Sequence, residues 1–197
     1  MIHPDTELRF ISDAIGYGVV AKKFIPKGTI TWVQDELDRI FTPEDEKKIS
    51  PIMKQYLETY CFTNSDGNKV LCWDNAKFVN HSFDSSCMST AYDFEIAVRD
   101  IHPGEQLTDD YGYLNVAEPF EAEDEGTERK VVFPDDILNY YTIWDKKVKE
   151  NLPLIATLDQ PLQQFIPMQM WNEVSKVLDG QSELKSLLNC YYDPKKK

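Results

Sequence analysis

The residues best able to do chemistry lie between positions 70 and 115, in two short motifs. The first is Phe78-Val79-Asn80-His81-Ser82, preceded by Cys72-Trp73-Asp74. The second is Gly104-Glu105-Gln106-Leu107-Thr108-Asp109-Asp110-Tyr111-Gly112. Together they offer an amide, an imidazole, a phenol and acids, groups that bind and orient. As a lone histidine, His81 reads as a hydrogen-bonded anchor rather than a general base. A third stretch, Gly16-Tyr17-Gly18, either lets the backbone approach a ligand closely or makes a turn or bulge. Each motif alone has an ordinary reading, since a buried Asn or His often satisfies backbone groups near a turn. Their order and spacing carry more than any one of them.

One strand must hold the two motifs in place. Tyr92, Phe94, Ile96 and Val98 alternate with Asp93, Glu95, Ala97 and Arg99, the period of a half-buried strand. Pro103-Gly104 makes the turn after it, with Pro presetting φ and Gly supplying φ > 0. The turn then presents Leu107 to Tyr111. Upstream, residues 7–12 read as a first strand, and Phe24 to Trp32 as turn and strand. Thr42-Pro43-Glu44-Asp45 is a helix start: Thr caps, Pro suits the first helical position, and acids suit the positive end of the dipole. Ile49, Ile52, Met53, Tyr56, Leu57 and Tyr60 follow at helical spacing, with Pro51 expected to kink or restart the helix. Val70 to Trp73 is a further strand.

In order and within one domain length, the motifs resemble those of the SET-domain lysine methyltransferases. Asn80-His81-Ser82 matches the family's Asn-His-Ser, Gly104 to Tyr111 its Gly-Glu-x-Leu-Thr-x-Asp-Tyr, and Gly16-Tyr17-Gly18 its Gly-x-Gly, followed by Ile25-Pro26-Lys27-Gly28. The likeness is closest to compact, often bacterial, members. The fold implied is mainly β with α: a β-clip-like SET fold of small sheets, with its carboxyl-terminal segment threaded in a knot-like way. Residues 7–115 form that domain, with a helical insert at about 42–60. An exposed acidic loop (116–134), a helical appendage (135–190) and a frayed tail (191–197) follow. Ile137, Tyr140, Tyr141, Trp144 and Val148 form one helical face, and Met170, Trp171, Val174, Val177 and Leu178 another that stops at Gly180. Both faces are expected to pack as core against the first domain.

The resemblance implies methyl transfer from S-adenosylmethionine, leaving S-adenosylhomocysteine, to the ε-amine of a lysine in a protein. The backbone of Gly16, Tyr17 and Gly18 would cradle the cofactor, with the Tyr17 side chain nearby. Asn80 would hold the cofactor's amino-acid end, and the His81 backbone would meet its adenine. Tyr111 would be the catalytic residue. Ser82 would support from behind, while Asp74 and Glu105 read as structural. Where many members carry an aromatic two residues before the catalytic Tyr, this chain has Asp109. Phe83-Asp84-Ser85-Ser86 replaces the family's usual Cys-x-Pro-Asn continuation. Tyr113, Phe120 and Phe133 are the candidates to cover the adenine. The remaining alternatives are a non-catalytic SET-fold module that binds a basic partner, and a methyltransferase for a non-protein amine.

Composition bounds the rest. At 197 residues with 42% hydrophobic and 12% aromatic content, the chain can bury a core. The formal charge of −13 disfavours direct nucleic-acid binding and suits a basic, lysine-containing protein or peptide partner. Cys61, Cys72, Cys87 and Cys190 include no Cys-x-x-Cys pair, so no metal is expected and the family's cysteine-rich zinc segment is absent. No apolar run approaches the ~20 residues that span a bilayer, and the amino terminus does not read as a signal peptide. The expected location is intracellular, cytoplasmic first, with nuclear or host-delivered sites open.

Overall fold

A computed structural model describes residues 1–195. It begins with an antiparallel hairpin of β1 (Thr6–Ser12) and β2 (Gly16–Ala21). Gly16 to Gly18 are part of β2. The register slips between Phe10 and Ser12, opposite Gly16 at φ 80°, a conformation open to a residue without Cβ.

Next come β3 (Ile30–Val33), β4 (Arg39–Phe41), α1 (Pro43–Glu46) and α2 (Pro51–Tyr60). Thr42 caps α1 reciprocally with Asp45. Pro51 restarts the helix, with Ser50 as cap. β5 (Cys61–Thr63) and β6 (Lys69–Leu71) join β4 in the order β4-β6-β5. Of the α2 face, Leu57 is buried, whereas Ile52 is 80% exposed and Met53 and Tyr56 are also exposed.

β7 (Asn80–His81), β8 (Cys87–Ser89) and β9 (Phe94–Ala97) follow, then β10 (Thr108–Asp109), β11 (Phe120–Glu121) and β12 (Val131–Val132). β9 lies between β3 and β8, and β10 runs parallel to β7. Two longer helices follow, α3 (Asp136–Asn151) and α4 (Met168–Leu178), and a short 3-10 helix at Leu187–Cys190 comes after them. Among the described residues there are thus five small sheets and four α-helices.

Two apolar clusters flank β9. Phe94 and Ile96 pack with Ile30, Tyr113, Trp144, Ile155, Val174 and Leu187, while Ala97 packs with Val19, Cys87 and Leu107. The strand expected to be half-buried is therefore covered on both faces. The carboxyl-terminal helices share the first cluster with the sheet, as their aromatic stripes implied. Gln160 fastens them: its amide accepts from Ile30 N–H (2.8 Å) and donates to the Gly28 carbonyl (2.9 Å). Tyr192, placed by sequence in a frayed tail, is also tied down, its N–H donating to Asn115 Oδ1 (2.9 Å). The last two residues of that tail, Lys196 and Lys197, lie outside the described residues.

Candidate active site

The parallel pairing of β7 and β10 sets Thr108 opposite Asn80 and Asp109 opposite His81, which brings the two motifs side by side. Ser86 and Thr108 lock the junction: each backbone N–H donates to the other's hydroxyl, at 3.0 and 2.9 Å. Tyr111 N–H donates to His81 Nδ1 (3.1 Å), so the neutral ring carries its proton on Nε2. That Nε2 is buried with no protein partner. Burial lowers the His81 pKa, against the raising effect of Asp110 and Glu125. The imidazole is an anchor.

On the other side of Asn80, its side-chain amide donates to the Tyr17 carbonyl (3.2 Å) and to Gln106 Oε1 (2.9 Å). Gly18 lies against both: a Cβ there would stand 2.5 Å from Gln106 Oε1 and 2.7 Å from Asn80 Nδ2. A side chain there would displace Asn80 and Gln106 from this arrangement. Space is open around Gly16. The Tyr17 ring is 54% exposed and meets Phe10 edge-on, at 5.7 Å between centroids. Gln106 was not singled out from sequence, since nothing in the motif distinguishes it from a turn residue.

Tyr111 is the hinge between this cradle and a cavity of about 970 Å³. Its hydroxyl donates to the Val79 carbonyl (2.6 Å). Burial first, then the Asp109 and Glu95 carboxyls, push its pKa well above the phenol's usual value. It therefore works as a neutral hydroxyl. The cavity is walled by Trp32, Phe62, Tyr113, Leu114 and Phe120, and α2 contributes Glu58, Thr59 and Tyr60 to it.

Of the acids that line this cavity, Glu95 and Asp109 are partners of one another. Asp109 is buried and hydrogen-bonded to Glu95, and its Oδ1 accepts from the Tyr113 hydroxyl. Ser89 Oγ approaches Glu95 Oε1 at 3.4 Å. Burial pushes both carboxyls upward, Glu95 to about 7. The alternating pattern placed Glu95 on a solvent face, and its partnership with Asp109 was not foreseen.

The acidic stretch after Gly112 is an ordered hairpin, β11 with β12, rather than a plain loop. Phe120 reaches the site, with its ring 5.6 Å from His81 and 6.1 Å from Tyr111. Of the other aromatics considered, Tyr113 is buried against Trp144 and Phe133 is exposed. Arg129 pins the hairpin by bridging Asp110 and Asp136, both buried carboxylates. Its guanidinium lies 4.5 Å from the ring centroids of Phe83 and Tyr140. Glu125 accepts from Phe83 N–H (2.9 Å). A guanidinium between two carboxylates thus closes this edge.

Asp74 and Glu105 each hold backbone amides. Asp74 accepts from Ile2 N–H (2.7 Å) and Ala76 N–H (2.9 Å), and Glu105 from His102 N–H (2.7 Å). Ser82 Oγ accepts from Asp84 N–H (3.1 Å) and stays behind the site. Among the described residues, no group of three or more His, Cys, Asp or Glu is placed to hold a metal ion. None of the described helices is long and apolar enough to cross a membrane. A family model described as SET domain matches residues 16–112, from the first glycine of the cradle to the residue after Tyr111. A comparison with curated proteins found no match.

Proposed function

Because this chain belongs to the SET-domain family, mostly methyltransferases, we propose that it methylates the ε-amine of a lysine in a protein substrate. The observation that carries the reading is the position of the Tyr111 hydroxyl, between the Gly18–Asn80 cradle and the aromatic cavity.

The cradle fits S-adenosylmethionine, which supplies the activated methyl. Gly18 leaves room that a Cβ would fill, Asn80 is held in one orientation by Gln106, and His81 is fixed by the Tyr111 amide. Asn80 holds the amino-acid end, the Gly16–Gly18 backbone lines the groove, and the His81 backbone meets the adenine. Phe120 covers that ring, on the evidence of its contact with His81. The Tyr17 side chain, turned outward, borders the groove from solvent.

Lysine has a pKa of about 10.4 and arrives charged. The aromatic cavity desolvates it and favours the neutral amine. Tyr111 orients that amine, and the Val79 carbonyl holds the hydroxyl in place. Alignment within about 3–3.5 Å of the methyl then supplies much of the rate. The parallel β7–β10 pairing supports a knot-like passage of the chain at this point. The net charge of −13 supports a basic substrate segment, reaching the cavity past Glu58 of α2.

Calorimetric titration with S-adenosylhomocysteine tests the cradle without a known substrate. One site in the micromolar range is expected, about −8 kcal/mol, and it is lost in Asn80→Ala. No heat from the wild type would overturn the reading.

A further inference from the structure

We propose that Glu95 and Asp109 form a proton-relay pair, in which Glu95 accepts the proton that the substrate ε-ammonium must lose. The inference deepens the lysine-methylation reading and rests on it.

Both carboxyls line the cavity that Tyr111 borders, and they are hydrogen-bonded to one another. They come from separate elements: Glu95 from β9, on the same face as Ala97, and Asp109 from β10, one residue after Thr108. Burying two adjacent carboxylates without a cation is costly, and the arrangement is relieved when the pair keeps one proton. Among the described residues, no lysine or arginine pairs with either carboxyl. Asp109, the more deeply buried and crowded by the neighbouring Asp110, is the one that keeps the proton and donates it to Glu95. Glu95 is then the carboxylate exposed to an incoming cation.

Other charged and titratable groups face the pair. The Tyr113 hydroxyl donates to Asp109, and the Tyr111 hydroxyl, held by Val79, stays neutral. Asp110 lies alongside, compensated by Arg129. The thiols of Cys72 and Cys87 are pushed up by burial and are neutral. The amino terminus, paired with Asp35, exerts a weak opposing pull on Glu95.

When an ε-ammonium reaches Glu95, two charged groups meet beside the Trp32, Phe62 and Tyr113 walls of the cavity. Transfer of one proton converts them to a neutral amine and a neutral acid, which the cavity holds at lower cost than the ion pair. The N–H bond breaks, its electrons remain on nitrogen as the lone pair needed for attack, and an O–H bond forms on Glu95. The methylated amine leaves as a cation, so each turnover frees one proton, which Glu95 returns to solvent. Atoms and charge balance with no further reactant.

Carboxyl-detected NMR of the labelled protein and the pH profile of methyl transfer test this together. One carboxyl resonance with a midpoint near 7 is expected in the wild type and absent in Glu95→Gln. Label transfer into poly-L-lysine or lysate protein should rise through that midpoint and level off. In Glu95→Gln the rate should fall by about 10²-fold, as for loss of a general base, and keep climbing toward the pKa of lysine. Asp109→Asn keeps a donor toward Glu95, so it should lose less and retain the levelling. Two ordinary acidic midpoints, or an unchanged profile in Glu95→Gln while transfer persists, would overturn this inference alone. A wild type that binds cofactor but labels no lysine would overturn the lysine reading, and the relay with it.

Discussion

The two sides of Tyr111 solve opposite problems. On one side, Gly18, Asn80, Gln106 and the His81 imidazole make a neutral cradle, in which Asn80 donates to Gln106 and to the Tyr17 carbonyl and His81 Nδ1 accepts from the Tyr111 N–H. On the other, Glu95 and Asp109 sit in an aromatic cavity, and both carboxyls are strained toward protonation by burial. On the proposed reading, the first side has only to hold a ligand in one pose and the second has to change a ligand's charge. A site that holds needs groups fixed in orientation, whereas a site that moves a proton needs a group displaced from its ordinary pKa.

The largest effect expected on this contrast comes from the closing edge. Arg129→Ala leaves Asp110 and Asp136 buried and unpaired, so it should destabilise the protein by about 3–5 kcal/mol. Chemical denaturation checks this, and a loss under 1 kcal/mol would mean the hairpin is not pinned as described. Tyr111→Phe removes one hydroxyl at the junction. Methyl transfer should fall by about 10²–10³-fold, while S-adenosylhomocysteine affinity stays near wild type, because the cradle is untouched. Gly18→Ala does the reverse: the new methyl displaces Asn80 and Gln106, and affinity should drop roughly tenfold or more by calorimetry.

A smaller effect separates the sides by pH. A carboxyl whose folded pKa is raised contributes full stability below its unfolded value and loses it as pH climbs through the folded one. For Glu95 that window runs from its ordinary value of 4.5 to about 7. Glu95→Gln should therefore gain on the wild type across this range, by on the order of 1–3 kcal/mol. Thermal melts at pH 4.5 and 8 measure it, and a constant difference would contradict the assignment. The smallest change expected is at the exposed face of α2. Ile52→Ser and Met53→Ser should alter stability by under about 0.5 kcal/mol.

Much of the cradle was legible in the sequence because its parts are local. Glycines at Gly16 and Gly18 mark close backbone approach, Asn80-His81-Ser82 and Gly104 to Tyr111 are contiguous, and Thr42 with Asp45 announces a helix start. What escaped depends on which strands become neighbours. Glu95 looked solvent-facing because period-two alternation reports one covered face, and β9 is covered on both. Gln106 matters only once β10 has brought Asn80 beside it. The acidic stretch looked like a solvated loop because the groups that order it are distant in sequence: Arg129 reaches Asp110 nineteen positions upstream. Phe120 stood out among the candidate aromatics only when its ring was placed beside His81.

The most direct test of the central claim is transfer of a labelled methyl group from S-adenosylmethionine to a cell lysate by the purified chain, with Tyr111→Phe alongside. Label on lysine side chains of discrete proteins, confirmed by peptide mapping and absent with the variant, is the predicted result. Equal labelling by both proteins, label on another type of atom, or none from a wild type that binds the cofactor would contradict it.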